Sequence, residues 1–172
     1  SPVAHARVIG IDATTARAMP GVVAVVTQGD LDGFGVARMS HRLEMPGIQP
    51  LTWGLLADAV VRFVGDPVAV VVAVSRSVAE DAAETVDVGY EPLPLVVDPL
   101  AALAVDAPLL YPEWGTNLFF AFAGAPPDID EVLAAAPRQR AFRYRNHRIA
   151  AAPLEGHGAQ AWVDPPTRRL HV

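Results

Sequence analysis

The chain has 172 residues, 52% of them hydrophobic and 19% charged, with a formal net charge of -6. This is the balance of a globular chain, long enough for one domain or for a domain plus the start of another. It excludes a membrane-spanning helix, since the longest clear apolar run, Val68 to Val74, falls far short of the ~20 residues a bilayer demands.

There is no cysteine and no Met at position 1, and no basic stretch precedes an apolar one near the start. Neither a disulfide framework nor a secretory leader is indicated, so a cytoplasmic setting is expected. The opening Ser-Pro-Val-Ala-His reads as the inside of a folded region, and the chain as a piece of a longer polypeptide. Charge is divided unevenly. Before Arg138 there are 6 Arg against 17 acidic residues, and from Arg138 onward 7 Arg against 2; Lys is absent. The run Arg138, Arg140, Arg143, Arg145 and Arg148 has the guanidinium chemistry of phosphate binding. No aromatic stacking platform or groove-reading helix accompanies it, so an exposed strand or turn facing the acidic first part is expected, with no nucleic-acid partner.

In chain order, Ala6 to Ile11 alternates as a strand, and Asp12 stands as the cap of a short helix over Ala13 to Ala18. Pro20-Gly21 ends it, and Val22 to Thr27 is short and apolar enough for a buried strand. Gln28 to Pro50, with its glycines and two Pro-containing turns, reads as a surface excursion. Ala59 to Val64 and Val68 to Val74 then read as two strands joined by the tight turn Gly65-Asp66-Pro67. Ser77-Val78-Ala79-Glu80 has the form of a capping box opening a helix over Val78 to Thr85, with Val78, Ala82 and Val86 on one face. Asp87 to Glu91 returns as a strand. The expectation is an α+β or α/β domain over residues 1–100.

Over residues 101–137 prolines recur too often for a long element. Leu118-Phe119-Phe120-Ala121-Phe122 is expected to pin this connector against another surface, and Asp128 to Ala136 to form a helical turn or two. Residues 138–172 read as the truncated start of a further domain, with strands at Ala141 to Arg145, Gln160 to Asp164 and Leu170 to Val172, the last unpaired.

Several blocks, in order, carry a family resemblance. Ser1-Pro2-Val3-Ala4-His5-Ala6-Arg7-Val8, Ile11-Asp12 and Ala18-Met19-Pro20-Gly21-Val22-Val23-Ala24-Val25 resemble the opening of the α/β hammerhead domain in the large, molybdenum-binding subunit of the xanthine dehydrogenase/aldehyde oxidase/carbon monoxide dehydrogenase family. Val61 to Ala69 resembles its VRYVGEPVA stretch, and Val88 to Pro94 its VDYEPLP. Asn117-Leu118 and Asp128-Ile129-Asp130 are similar to the linker that follows. Ala152 to Gly158 resembles the PLEPRG block that opens the molybdopterin-binding domain. Asp66 and His157 stand where those blocks carry Glu and Arg.

The resemblance implies hydroxylation of a carbon centre, or oxidation of carbon monoxide, at a molybdopterin-bound molybdenum. Electrons would then pass to 2Fe-2S clusters and FAD on partner subunits or domains. It implies further that this stretch, lacking any Gly-Gly pair, carries scaffold and subunit contacts and no catalytic, cofactor-binding or metal-binding residue. A stand-alone hammerhead-fold binding module is the alternative.

Other constellations are weaker. His5, His41, His147, His157 and His171 lack the short paired spacings of metal ligands. Glu155 and His157, two apart, would share a strand face as an acid/base pair, although a structural role for Glu155 is favoured. Ser40-His41 has no nucleophile elbow around it, and Gly33-Phe34-Gly35 lacks the third glycine of a dinucleotide turn. Trp53 and Trp114 are expected to anchor surface segments.

Overall fold

A computed structural model describes residues 1–41, 45–122, 124–146 and 158–172. The chain divides into two compact units, residues 1–123 and 124–172. In the first unit the elements run β1 (Ala6–Asp12), α1 (Thr14–Ala18), β2 (Val22–Thr27), α2 (Gln28–Gly33), β3 (Met39–Ser40), β4 (Thr52–Trp53), β5 (Val60–Val61), β6 (Ala69–Ala73), α3 (Arg76–Ala83) and β7 (Asp87–Pro92). The second holds α4 (Ile129–Ala135), β8 (Trp162–Val163) and β9 (Leu170–His171).

All strand pairs are antiparallel. One sheet has the order β5-β1-β7, a second pairs β2 with β6, and a third β3 with β4. The register sets Ala6 opposite both Val61 and Pro92, and Ala6 and Val61 are fully buried. A bulge between Val8 and Gly10 throws Ile9 across the sheet onto Gly89. A Cβ on Gly89 would come within 2.8 Å of Ile9 Cγ1, so only glycine admits the bulge there.

The core lies on one face of β2-β6. Ala13 and Ala16 on or beside α1, Val25 on β2 and Ala82 on α3 are buried together, with Met19, Val22, Ala69, Val71 and Val86 packed around them. Small alanines at Ala16 and Ala82 let the two short helices approach the sheet closely, and the pattern Val78, Ala82, Val86 expected from sequence is seated here through its last two members. Gly21 turns the chain from α1 into β2 at φ +89°, and its carbonyl accepts from the Val74 amide at 2.9 Å.

Several expectations are corrected. The runs around residues 60 and 70 are not a hairpin: Val60–Val61 joins β1, while Ala69–Ala73 joins β2. The turn between them is fastened elsewhere. The Ser1 backbone nitrogen donates to the Asp66 carbonyl at 2.8 Å, Gly65 N–H donates to the Ser1 carbonyl at 2.8 Å, and the Asp66 carboxylate accepts the Arg62 amide at 2.9 Å. Likewise β1, α1 and β2 follow one another but feed two different sheets.

The excursion contains a helix. Thr27 caps α2 through a reciprocal box in which the Asp30 carboxylate accepts the Thr27 amide at 2.8 Å. The third helix is capped by Ser75, not Ser77; the Ser75 hydroxyl accepts the Val78 amide at 3.3 Å, and Glu80 is drawn instead to Arg76 at 2.7 Å. The first helix starts at Thr14, one residue later than expected, with Ala13 in the cap position while the Asp12 carboxylate accepts the Thr14 amide at 2.9 Å.

In the second unit Ala141 to Arg145 forms no strand, and the final strand does have a partner, β8. Trp162 and His171 stack across that pair, ring centroids 5.0 Å apart. The expected two turns of helix after Asp128 are present as α4.

Candidate functional site

The three-stranded sheet gathers the most concentrated chemistry of the first unit at one end. Because Ala6 faces both Val61 and Pro92, the residues just beyond the pairing, His5, Arg62 and Leu93, fall in a row. The row is tied together: Leu93 N–H donates to the His5 carbonyl at 3.0 Å, and His5 Nδ1 donates to the Pro94 carbonyl at 2.7 Å. A carbonyl only accepts, so the His5 proton sits on Nδ1 and leaves Nε2 for the solvent side.

The connector closes over this end. Asn117 acts as its clasp, its amide donating to the Ala102 and Pro108 carbonyls at 3.0 and 2.9 Å while its oxygen accepts the Leu110 amide at 2.9 Å. Tyr111 and Trp114 stack at 4.2 Å, and Trp114 Nε1 donates to the Pro50 carbonyl at 3.2 Å. Phe119 stands edge-on to His41, and its carbonyl accepts the Gln49 amide at 2.9 Å. The expected pinning of the connector by its aromatics is thus made by Phe119 and Trp114, whereas Phe122 is exposed.

Between connector and sheet end lies an open cleft of about 390 Å³. Phe63, Val64, Leu95 and Val97 provide apolar walls, and Arg62, His5 and Tyr111 its polar edge. Arg62 donates from Nε to the Leu110 carbonyl at 3.2 Å and from Nη1 to the Val60 carbonyl at 3.4 Å, with its guanidinium carbon 4.4 Å from the Tyr111 ring centre. Among the described residues none of the ion pairs includes it. Burial pushes the Tyr111 phenol above its ordinary pKa, against the opposing pull of Arg62, so it stays a neutral donor. An adjoining cleft of about 510 Å³ shares His5 and Arg62 and adds Arg7 and Asp106.

The first cleft has no carboxylate, thiol or hydroxyl nucleophile paired with a base among its lining residues. It sets one guanidinium beside apolar walls. Sequence reasoning missed it, because the three residues meet only through the β5-β1-β7 register; the one sequence cue was that Arg62 and Leu93-Pro94 both fall in family-like blocks.

A second polar cluster sits on α2. Arg38 Nη2 bridges Asp32 and Asp58 at 2.6 and 2.9 Å, and Gln28 Nε2 donates to Asp32 at 2.8 Å. The Arg38 hydrogen bond, then that from Gln28, hold the Asp32 carboxyl below its ordinary range. Gln28, the buried polar residue of this unit, also accepts the Leu56 amide at 3.0 Å. These contacts are all satisfied, which is the signature of structure and not of catalysis.

The sequence candidates do not converge. Within the first unit His5 and His41 lie at separate places, in the second His171 stacks on Trp162, and among the described residues no group of three His, Cys, Asp or Glu side chains is placed to hold a metal. The acid/base pair Glu155 and His157, the PLEPRG-like block and His147 lie outside the described residues. Gly33-Phe34-Gly35 closes α2, with Gly35 at φ +73°, where a dinucleotide turn would open a helix. Ser40 lies on β3, and the neighbouring His41 donates from Nε2 to the Gln49 carbonyl at 3.0 Å. Trp53, on β4, is part exposed.

One surface is conspicuously apolar. Val70, Val72 and Val74 alternate with the core-facing Ala69 and Val71, and with Val23 they are 43–75% exposed. Among the described residues no helix is long and apolar enough to cross a membrane.

Fold and site together define a small α+β domain with an Arg62-edged cleft. Residues 1–94 match the family described as aldehyde oxidase and xanthine dehydrogenase, a/b hammerhead domain, and the chain belongs to that family. It is 37% identical, over its whole length, to the nicotine 6-hydroxylase large subunit of Paenarthrobacter nicotinovorans. It is 47% identical over 88% of its length to the carbon monoxide dehydrogenase large chain of Afipia carboxidovorans. Among solved structures, quinoline 2-oxidoreductase from Pseudomonas putida 86 aligns with a TM-score of 0.72 at 37% identity, covering 80% of this chain and 17% of that one. The chain spans about a fifth of the length of the two large subunits.

Proposed function

We propose that this chain is the hammerhead portion of the large subunit of a molybdenum hydroxylase, where it braces the molybdenum-binding domain and contacts neighbouring subunits. The observation that carries this reading is the match over residues 1–94 combined with relatives that are large subunits about five times longer. The exposed valine surface of β2-β6 supports a packing role, since apolar area of that kind gains about 25 cal/mol per Å2 when covered.

The parent enzyme would hold molybdopterin, with 2Fe-2S and FAD on partner subunits or domains, and would act on an aldehyde, an N-heterocycle or carbon monoxide. The described residues do not fit such a cofactor. Among them no side chains are grouped to ligate a metal, the chain has no cysteine to hold an iron-sulfur cluster, and the open cleft sets a single guanidinium on apolar walls where a pterin needs several polar partners. No step of the reaction is assigned here, and the catalytic, cofactor-binding and metal roles are placed elsewhere in the parent. The isolated chain is therefore inactive, because oxo transfer belongs to the metal-cofactor unit that protein only positions. We place the assembly in the cytoplasm, a setting that a chain without disulfides permits.

Tagging the gene in its native host and isolating its product tests the proposal. The account expects molybdenum, iron and flavin to copurify with two further polypeptides. An 18 kDa product free of all three would instead favour a stand-alone module.

A further inference from the structure

The cleft at the end of the three-stranded sheet has features that a purely structural seam does not need. On its polar edge is the Arg62 guanidinium, whose Nε and Nη1 are aimed at the Leu110 and Val60 carbonyls, fixing the plane of the group. Tyr111 lies against one face of it at 4.4 Å. A guanidinium held this way has lost its rotational freedom before any ligand arrives, and none of the ion pairs among the described residues includes it, although the Asp66 carboxylate holds the Arg62 amide at 2.9 Å.

The walls add the second half of a recognition site. Phe63, Val64, Leu95 and Val97 are each more than half exposed, although they line a concave surface. Volume decides the size of occupant. The cleft's roughly 390 Å³ falls in the range of small-molecule sites, about 300–1,000 Å³.

We propose that this cleft binds a small monocarboxylate with an apolar body, its carboxylate on Arg62 and its hydrocarbon portion on Phe63, Val64, Leu95 and Val97. The site goes beyond the bracing role argued above and does not depend on it. Charge sets the choice of ligand: an apolar cation meets Arg62 repulsively, and a neutral body of the same length forfeits the charge-assisted hydrogen bond. The nearest acid of the adjoining cleft, Asp106, belongs to that second cavity and not to the first.

The test is a titration of the full 172-residue chain with hexanoate, hexan-1-ol and hexylammonium, followed by amide chemical shifts. Hexanoate is expected to move the amides of His5, Phe63, Val64, Leu95 and Tyr111 and to bind about tenfold or more tightly than hexan-1-ol, with hexylammonium weakest. Arg62→Gln should abolish the preference for the acid, and Arg62→Lys should keep part of it. Arg62 also holds Leu110, so Val97→Glu provides a second variant on an exposed wall; it should weaken hexanoate and strengthen hexylammonium without altering the circular dichroism. Equal affinity for acid and alcohol, shifts confined to the β2-β6 valines, or no saturable binding at millimolar concentration would each overturn the proposal.

Discussion

Replacing Gln28 with Met keeps the volume of a buried side chain and deletes its hydrogen bonds. Gln28 is 3% exposed; its oxygen accepts the Leu56 amide at 3.0 Å, and its nitrogen donates to Asp32 at 2.8 Å. Leu56 is itself 6% exposed, so its amide would be left without a partner in a site closed to water. An orphaned buried amide costs about 1–3 kcal/mol, and this part dominates. The Asp32 side loses less, because Arg38 still holds that carboxylate at the surface. The sum is about 2 kcal/mol, a fall in Tm of roughly 6–10 °C for a unit of this size. Urea unfolding followed by tryptophan fluorescence measures it, in a Trp162→Phe background so that Trp53 and Trp114 report on the first unit. Gln28→Glu adds a sign. It keeps an acceptor for Leu56 but sets a second carboxylate against Asp32, raising the pKa of the new group, so the destabilisation relative to the parent should be smallest at low pH and grow as pH rises through that raised value. A Gln28→Met variant within about 0.5 kcal/mol of the parent, inside the usual range for surface changes, would refute the reasoning.

Gly21→Ala forces a left-handed residue and places a Cβ 3.0 Å from Val74 Cγ2 and 3.3 Å from Val78 Cγ1; strain and overpacking together should cost about 2–4 kcal/mol in the same urea assay. Thr27→Ala removes the hydroxyl that caps α2 and should cost about 1 kcal/mol, with faster amide exchange confined to Asp30 and its neighbours. The Asp30 carboxyl is held below its ordinary pKa, first by the Thr27 amide and then by its hydroxyl. Its contribution is thus present above the unfolded value of about 3.9 and lost as pH falls through the lower folded value. Asp30→Asn should lower stability at pH 7 and flatten the acid-side decline, read as a smaller difference in urea midpoint between pH 5 and pH 3.

The long β-strands and the alanine-valine core were legible because each carries its signal locally: Ala6 to Ile11, Val22 to Thr27 and Asp87 to Glu91 alternate or run apolar over five residues or more. Pairing was not. The strands around Val60 and Val70 look like a hairpin in sequence, and only Ser1, reaching back to Asp66 across 65 residues, shows why the turn parts them. Caps failed for a related reason, since Ser75 stands just before the helix and Ser77 in its first turn, and the choice depends on which hydroxyl meets Val78. The α2 box was hidden because Asp30 fills the place where Glu or Gln marks such boxes. The cleft was barely legible: His5 and Arg62, far apart in sequence, meet through sheet register, and Tyr111 reaches Arg62 from the connector. The family, by contrast, was readable from short blocks in order.

The central claim is that these residues are framework for a redox enzyme whose metal chemistry resides in the rest of the polypeptide. Its most direct test is to express residues 1–172 in a host that makes molybdopterin, purify the folded chain, and measure bound molybdenum and dye-coupled oxidation of aldehydes, N-heterocycles and carbon monoxide. The account predicts a folded protein with neither metal nor turnover. Stoichiometric molybdenum, or any substrate oxidised above the buffer rate, would contradict it.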